Sequence, residues 1–298
     1  MENTAETKGF YEYKTTLRAM SEGVSLLSKN ATMLLKATWP VLLVVSLLGA
    51  WCTYSSSRLI GCVVTGSQID WSDLGLSVAF PVLVYLVGLV FFYALVYTLF
   101  AKYIEKGFMP TVVRGKFQPC PKITKLGRFV LGVLWVLFIV LVYGALSYVL
   151  GHLSKWTLIL TVPVCIFLAF WLANQLTGYV LISDTLIGSI RHSFGITLKG
   201  LGSFLTVAIV LGLILGVIGA VCQLPSISSE LIYLKSQLSL SEGDDVVLPS
   251  YFMWVYFLAL AFSTFLQLIL NAIAISSWSM VYGAVSARLA TQKEAPQH

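Results

Sequence analysis

Two short polar clusters interrupt long apolar runs of this chain: Asn174, Gln175 and Thr177 in one, and Gln267, Asn271, Ser276 and Ser277 in another. Amide and hydroxyl side chains donate and accept hydrogen bonds but carry no charge, so their chemistry is recognition and not proton transfer. Two readings stay open. Such groups commonly bond across a helix interface inside a membrane; alternatively Asn174, Gln175, Gln267 and Asn271 line one polar substrate cavity. Intramembrane catalysis and proton coupling usually need an ionisable residue within a span, and the centres of the apolar runs contain no Asp, Glu, Lys or Arg. Asp184 comes nearest, and its place just before Thr185 and an apolar stripe predicts a helix cap, where a carboxylate meets the positive end of the helix.

The remaining reactive side chains are scattered. His152, His192 and His298 fall on an outer turn, an inner amphipathic helix and the last position, which predicts no histidine metal site. A paired-histidine zinc motif, a Gly-rich phosphate loop and a serine nucleophile elbow are all lacking. The expectation is no catalytic residue, no cofactor and no metal. Of the five cysteines, Cys120 falls inside and Cys165 within a span. Cys52, Cys62 and Cys222 fall at the outer ends of spans, where a bond from Cys52 to Cys62 or Cys222 stands against small apolar burial. The acidic stretch from Ser241 to Asp245 is too short for a calcium loop.

Composition says what positions these residues. Of 298 residues 58% are hydrophobic and 11% charged, against about 25% charged in a soluble domain. So few charges cannot cover the surface of a globule this size, which excludes a soluble enzyme. Six stretches, near 32–54, 74–101, 128–150, 157–182, 202–223 and 252–287, are long enough to cross a hydrocarbon core. Because every backbone amide in lipid needs an internal partner, they must be helices; the expected class is an all-α polytopic membrane protein. Residues 71–106 and 252–289 could each form one helix of about 36 residues, ~54 Å long, more than a straight crossing needs. Pro81 and Pro163 are candidate kinks.

Charge placement sets orientation. Sixteen of the nineteen Lys and Arg residues fall on one side if both termini are cytoplasmic, leaving Arg58, Lys155 and Lys235 outside, as the positive-inside rule requires. Trp51, Trp71, Trp156 and Trp254 then fall near the outer interface. The expected location is a cell membrane, the inner membrane of a bacterium. The inner loop 102–128 carries seven bases and one acid, Glu105, which either sets topology alone or also attracts anionic headgroups. No domain-sized soluble portion exists to present a basic face, so nucleic acid is not an expected partner.

Two stretches look amphipathic. Phe10, Tyr13, Leu17, Met20, Val24 and Leu27 recur at steps of three and four, and Ile187, Ile190, Phe194, Leu198 and Leu201 repeat the arrangement. Each runs straight into a span, which predicts a pair of interfacial helices. Leu17, Met20, Ile187, Ile190 and Phe194 would then form a lipid-facing collar, with Lys14, Arg18, Arg191 and Lys199 at headgroup level. Packing against the long spans is the other reading. An offset of 170 residues aligns Leu17 with Ile187, Lys29 with Lys199 and Cys52 with Cys222. That suggests a parallel tandem repeat: copy one in 1–128, copy two in 171–298, and 129–170 part of a central hairpin. Gly212, Gly216 and Gly219 form small steps suited to close helix approach, within the chain or between two copies.

The segments Leu17–Lys29 and Thr185–Lys199, each leading directly into its span, resemble those of six-span bacterial families related to the membrane domain of glycerophosphodiester phosphodiesterases. The resemblance implies a membrane-domain fold without the hydrolytic barrel and carries over no functional residue. The sequence thus reads as a non-enzymatic integral membrane protein acting through lipids, anionic ones included, or through a membrane-protein partner or second copy. The alternative is a transporter or channel for a small or amphiphilic molecule.

Overall fold

A computed structural model describes residues 14–65, 75–106, 112–113, 116–117, 125–153, 157–182, 185–244 and 248–294. Phe10, Tyr13, Trp71, Cys120, Trp156, Asp184, His298 and most of the basic inner loop lie outside the described residues. The chain is an all-α polytopic membrane protein. Among the described residues seven α-helices follow in order: α1 Thr16–Lys29, α2 Ala31–Val64, α3 Phe80–Lys106, α4 Leu126–Leu153, α5 Thr157–Leu181, α6 Leu186–Ser241 and α7 Phe252–Glu294. A wide helical turn, Gly75–Ala79, precedes α3, and a two-residue antiparallel bridge pairs Val112 with Phe117. Helices α2 to α7 each contain a stretch long and apolar enough to cross a membrane.

Local chemistry explains several boundaries. The one-residue break between α1 and α2 falls at Asn30, whose N–H and side-chain amide both donate to the Leu26 carbonyl, at 3.2 and 2.8 Å. Helix α6 stops where Gly243 takes φ +90° and Asp244 N–H returns to the Ser239 carbonyl at 3.0 Å, a conformation glycine adopts without the Cβ penalty. Pro81 is the second residue of α3, directly after the wide turn Gly75–Ala79. Pro40, Pro163 and Pro225 lie inside α2, α5 and α6.

Two expectations are corrected. The segment 186–201 is no separate interfacial helix: it forms the first turns of the 56-residue α6. Gly200 and Gly202 each cost only ~1 kcal/mol in a helix interior, too little to stop it. Beyond the expected span ends at 54 and 223 the chain stays helical, since α2 runs on to Val64 and α6 to Ser241. Cys52 and Cys62 therefore stand ten residues apart on one helix, ~15 Å along its axis, beyond disulfide reach. Both are free, as are Cys165 and Cys222.

The chain divides into two compact units. One comprises 1–35, 94–212 and 273–298, the other 36–93 and 213–272. In the first, Leu26, Leu27, Phe100 and Met280 form a buried cluster bordered by Leu34, Tyr103, Leu181 and Ile273. The α4–α5 hairpin belongs to it, with Tyr143 Oη donating to the Thr161 carbonyl at 2.6 Å. Helix α4 exposes Leu131, Leu137, Val140 and Leu146 around much of its surface, as a helix bathed in lipid does. In the second unit Ala50, Tyr233, Tyr256, Leu260 and Ala261 are the core, bordered by Tyr54, Phe252 and Phe257.

Candidate functional site

The first turns of α6 present three different faces. Thr185 Oγ1 accepts the Gly188 N–H at 3.2 Å and so caps the helix start. Ser189, Ser193 and Thr197, each four residues from the next, are fully buried together with Ile196. Ser189 Oγ donates to the Gln175 carbonyl of α5 at 3.1 Å, Ser193 Oγ to the Ser189 carbonyl, and Thr197 Oγ1 to the Ser193 carbonyl at 2.7 Å. Small hydroxyl residues let helices approach closely while satisfying their own polar atoms. The four-residue recurrence of Ser189, Ser193 and Thr197 is the signal in the sequence that marks this face.

The apolar stripe lies elsewhere on the helix. Ile187 is 81% and Leu198 60% exposed, and Phe194 is exposed as well. Phe194 meets Phe167 and Trp171 edge-on at ring separations of 5.6 and 5.7 Å, and Ile190 is half-buried. On α1, Leu17 and Val24 are exposed, whereas Met20 is only 9% exposed and joins Ala19, Gly23, Leu26 and Leu27 on the buried face. Met20 is thus corrected from a lipid-facing to a packing residue, because the stripe on α1 is wide enough for Leu17 and Met20 to fall on different sides. The two lead-in helices touch: Thr16 Oγ1 donates to Ser203 Oγ at 3.1 Å and accepts from Arg288 Nη2 at 2.9 Å. Lys14 pairs with Glu22 at 2.7 Å and Arg18 with the same carboxylate at 3.5 Å.

The four cavity candidates divide between the two units, Asn174 and Gln175 in the first, Gln267 and Asn271 in the second. In the first unit Asn174 is fully buried; its Nδ2 donates to Thr197 Oγ1 and its Oδ1 accepts from Trp278 Nε1, both at 3.0 Å. The Trp278 ring lies between Phe170 and Phe204, at 5.8 and 5.4 Å. Gln175 is equally buried, yet neither polar atom of its carboxamide has a hydrogen-bond partner among the described residues. In the second unit Gln267 Nε2 donates to Asn271 Oδ1 at 3.3 Å, and Asn271 Nδ2 to Tyr93 Oη at 3.0 Å. Of the small steps, Gly219 stands against Gln267 and Leu270, while Gly212 and Gly216 face open space.

A relay in the second unit has no sequence signal. Tyr256 Oη donates to Ser57 Oγ at 2.8 Å, and Ser57 Oγ lies 2.8 Å from Glu230 Oε1. The partners are separated by 199 and 173 residues, and the order serine, carboxylate, tyrosine follows no short motif. Ser57 is 1% and Tyr256 0% exposed, so the hydroxyls are closed to a substrate and serve to tie α2, α6 and α7 together. Among the described residues no three His, Cys, Asp or Glu side chains converge as metal ligands do. Compared with known proteins, the chain matches no family model, no curated protein and no solved structure.

Proposed function

We propose that this chain is a non-enzymatic integral membrane protein that acts by binding lipid along α1 and the first turns of α6. The observation that carries the reading is the inverted burial of α6: its hydroxyl face is inside, and Ile187, Phe194 and Leu198 are outside. Leaving side chains of this size in water instead of burying them costs roughly 1.5–3 kcal/mol each. Acyl chains remove that cost without a protein partner. The bases near this stripe, Arg191 and Lys199, then stand at headgroup level of the cytoplasmic leaflet, on the orientation that the Lys and Arg distribution favours. The test is lipid content after purification in mild detergent. Leu198→Glu, combined with Leu17→Glu, lowers bound lipid while circular dichroism keeps its helical signal; unchanged lipid with intact helices overturns the reading. Leu198→Ser serves if the acidic pair fails to insert.

A second reading, transport of a small or amphiphilic molecule, draws on Gln175 alone, because a buried carboxamide without partners is costly unless something polar reaches it. Gln175→Cys would then react with a small polar thiol reagent in the membrane. An inert thiol would remove that reading.

A further inference from the structure

Beside the apolar stripe, a groove of about 630 Å³ runs between the first turns of α6 and the end of α7. Arg191, His192 and Lys199 line one wall, Ser286 stands on the other, and Ile187 is at its edge. Among the described residues no Asp or Glu lines it, and no carboxylate pairs with Arg191 or Lys199. The volume falls within the usual range for small-molecule pockets, about 300–1,000 Å³.

The spacing of its wall is informative. Arg191, Gly195 and Lys199 recur every four residues, so the two cations sit one turn to either side of a residue without a side chain. A Cβ on Gly195 would meet nothing within 4 Å. Glycine there is therefore required neither by close packing nor by a positive φ; what it does is leave room between the two cations. The next strip around the helix is Ile187 and Leu198, both well exposed. A ligand that fills both strips has an anionic head and a long apolar tail.

We propose that this groove binds the phosphate headgroup of an anionic phospholipid. Arg191 and Lys199 close on the phosphodiester from two sides over Gly195, Ser286 is the hydroxyl donor on the facing wall, and an acyl chain lies along Ile187 and Leu198. The proposal rests on the lipid-binding reading above and adds a headgroup class and a place. It is tested by native mass spectrometry of the full chain in detergent, given equal amounts of phosphatidylglycerol and phosphatidylcholine. The wild-type chain retains phosphatidylglycerol in preference. Arg191→Gln with Lys199→Gln lowers that preference about fivefold per base removed, the equivalent of roughly 1 kcal/mol for each base near an anionic surface. Gly195→Leu, which fills the groove and leaves every charge in place, lowers it as well. Lys29→Gln with Lys36→Gln removes the same charge from outside the groove and leaves the preference intact. If the two double variants behave alike, or if excess soluble glycerol phosphate displaces the lipid, the groove is not a phospholipid site. Should the groove variants keep the preference while Leu198→Glu still lowers total lipid, the groove fails and the lipid reading stands; if total lipid stays constant in both, the reading itself has failed.

Discussion

Gly23 of α1 lies so close to Ser277 of α7 that a Cβ added to it would stand 2.5 Å from the Ser277 Cα and 2.8 Å from its backbone nitrogen. Ser276 Oγ donates to the Gly23 carbonyl at 3.1 Å across the same contact. Both atoms that a side chain would strike belong to a helix backbone, which cannot turn aside as a rotamer can. Gly23→Ala therefore forces α1 off α7, and overpacking of this kind costs about 1–3 kcal/mol. A thermal-unfolding midpoint well below that of the wild-type chain is expected, with Gly23→Val lower still; an unchanged midpoint for both would show that the helices do not approach this closely.

Asn174 links α5, α6 and α7 through one carboxamide. Removing it leaves the Trp278 N–H without its acceptor, whereas the Thr197 hydroxyl still donates to the Ser193 carbonyl; Asn174→Ala with Trp278→Phe removes both ends of one bond. Side-chain bonds within membranes are worth about 0.6 kcal/mol on average and up to ~1.7 kcal/mol. The double-mutant cycle read by denaturant titration should return a coupling within that span. Zero coupling would mean the bond does not form.

Ser57 and Glu230 test the other unit. A side-chain hydrogen bond contributes about 0.5–1.5 kcal/mol net. Glu230→Leu should lower the unfolding midpoint clearly, and Glu230→Gln, which keeps an acceptor oxygen, should recover part of the loss. Combining Ser57→Ala with Glu230→Leu should cost less than the two single changes added together. Full additivity would place the residues out of contact.

Orientation can be read directly. In a chain freed of its own cysteines, Glu242→Cys beyond the end of α6 should react with a membrane-impermeant maleimide on intact cells. Gln292→Cys, near the end of α7, should react only after permeabilisation. Reaction of Gln292→Cys from outside would reverse the proposed topology.

How much of this was legible in the residues varies by element. Six spans could be read because length and the lack of central charges decide them without knowledge of neighbours. The continuity of α6 was not, since Gly200–Gly202 contains two glycines that a helix tolerates when its two ends are held. The period of three and four in Ile187, Ile190, Phe194 and Leu198 was visible from the start, but a period names a face and not its environment. In water the apolar face goes inside. Where lipid covers a helix, apolar burial against protein brings no comparable gain, and close approach and hydrogen bonding select the contact instead.

That difference separates what the residues determined alone from what tertiary structure decided. Helix class, span number and the basic bias of one side follow from local composition, because backbone satisfaction and charge cost act on each segment separately. Tertiary structure turned Ser189, Ser193 and Thr197 inward, put Met20 on the buried side of α1 and brought Ser57 within 2.8 Å of Glu230. Those outcomes depend on which surfaces meet. A hydroxyl finds its acceptor 173 residues away only when two helices already lie side by side, and no spacing within either helix encodes that neighbour.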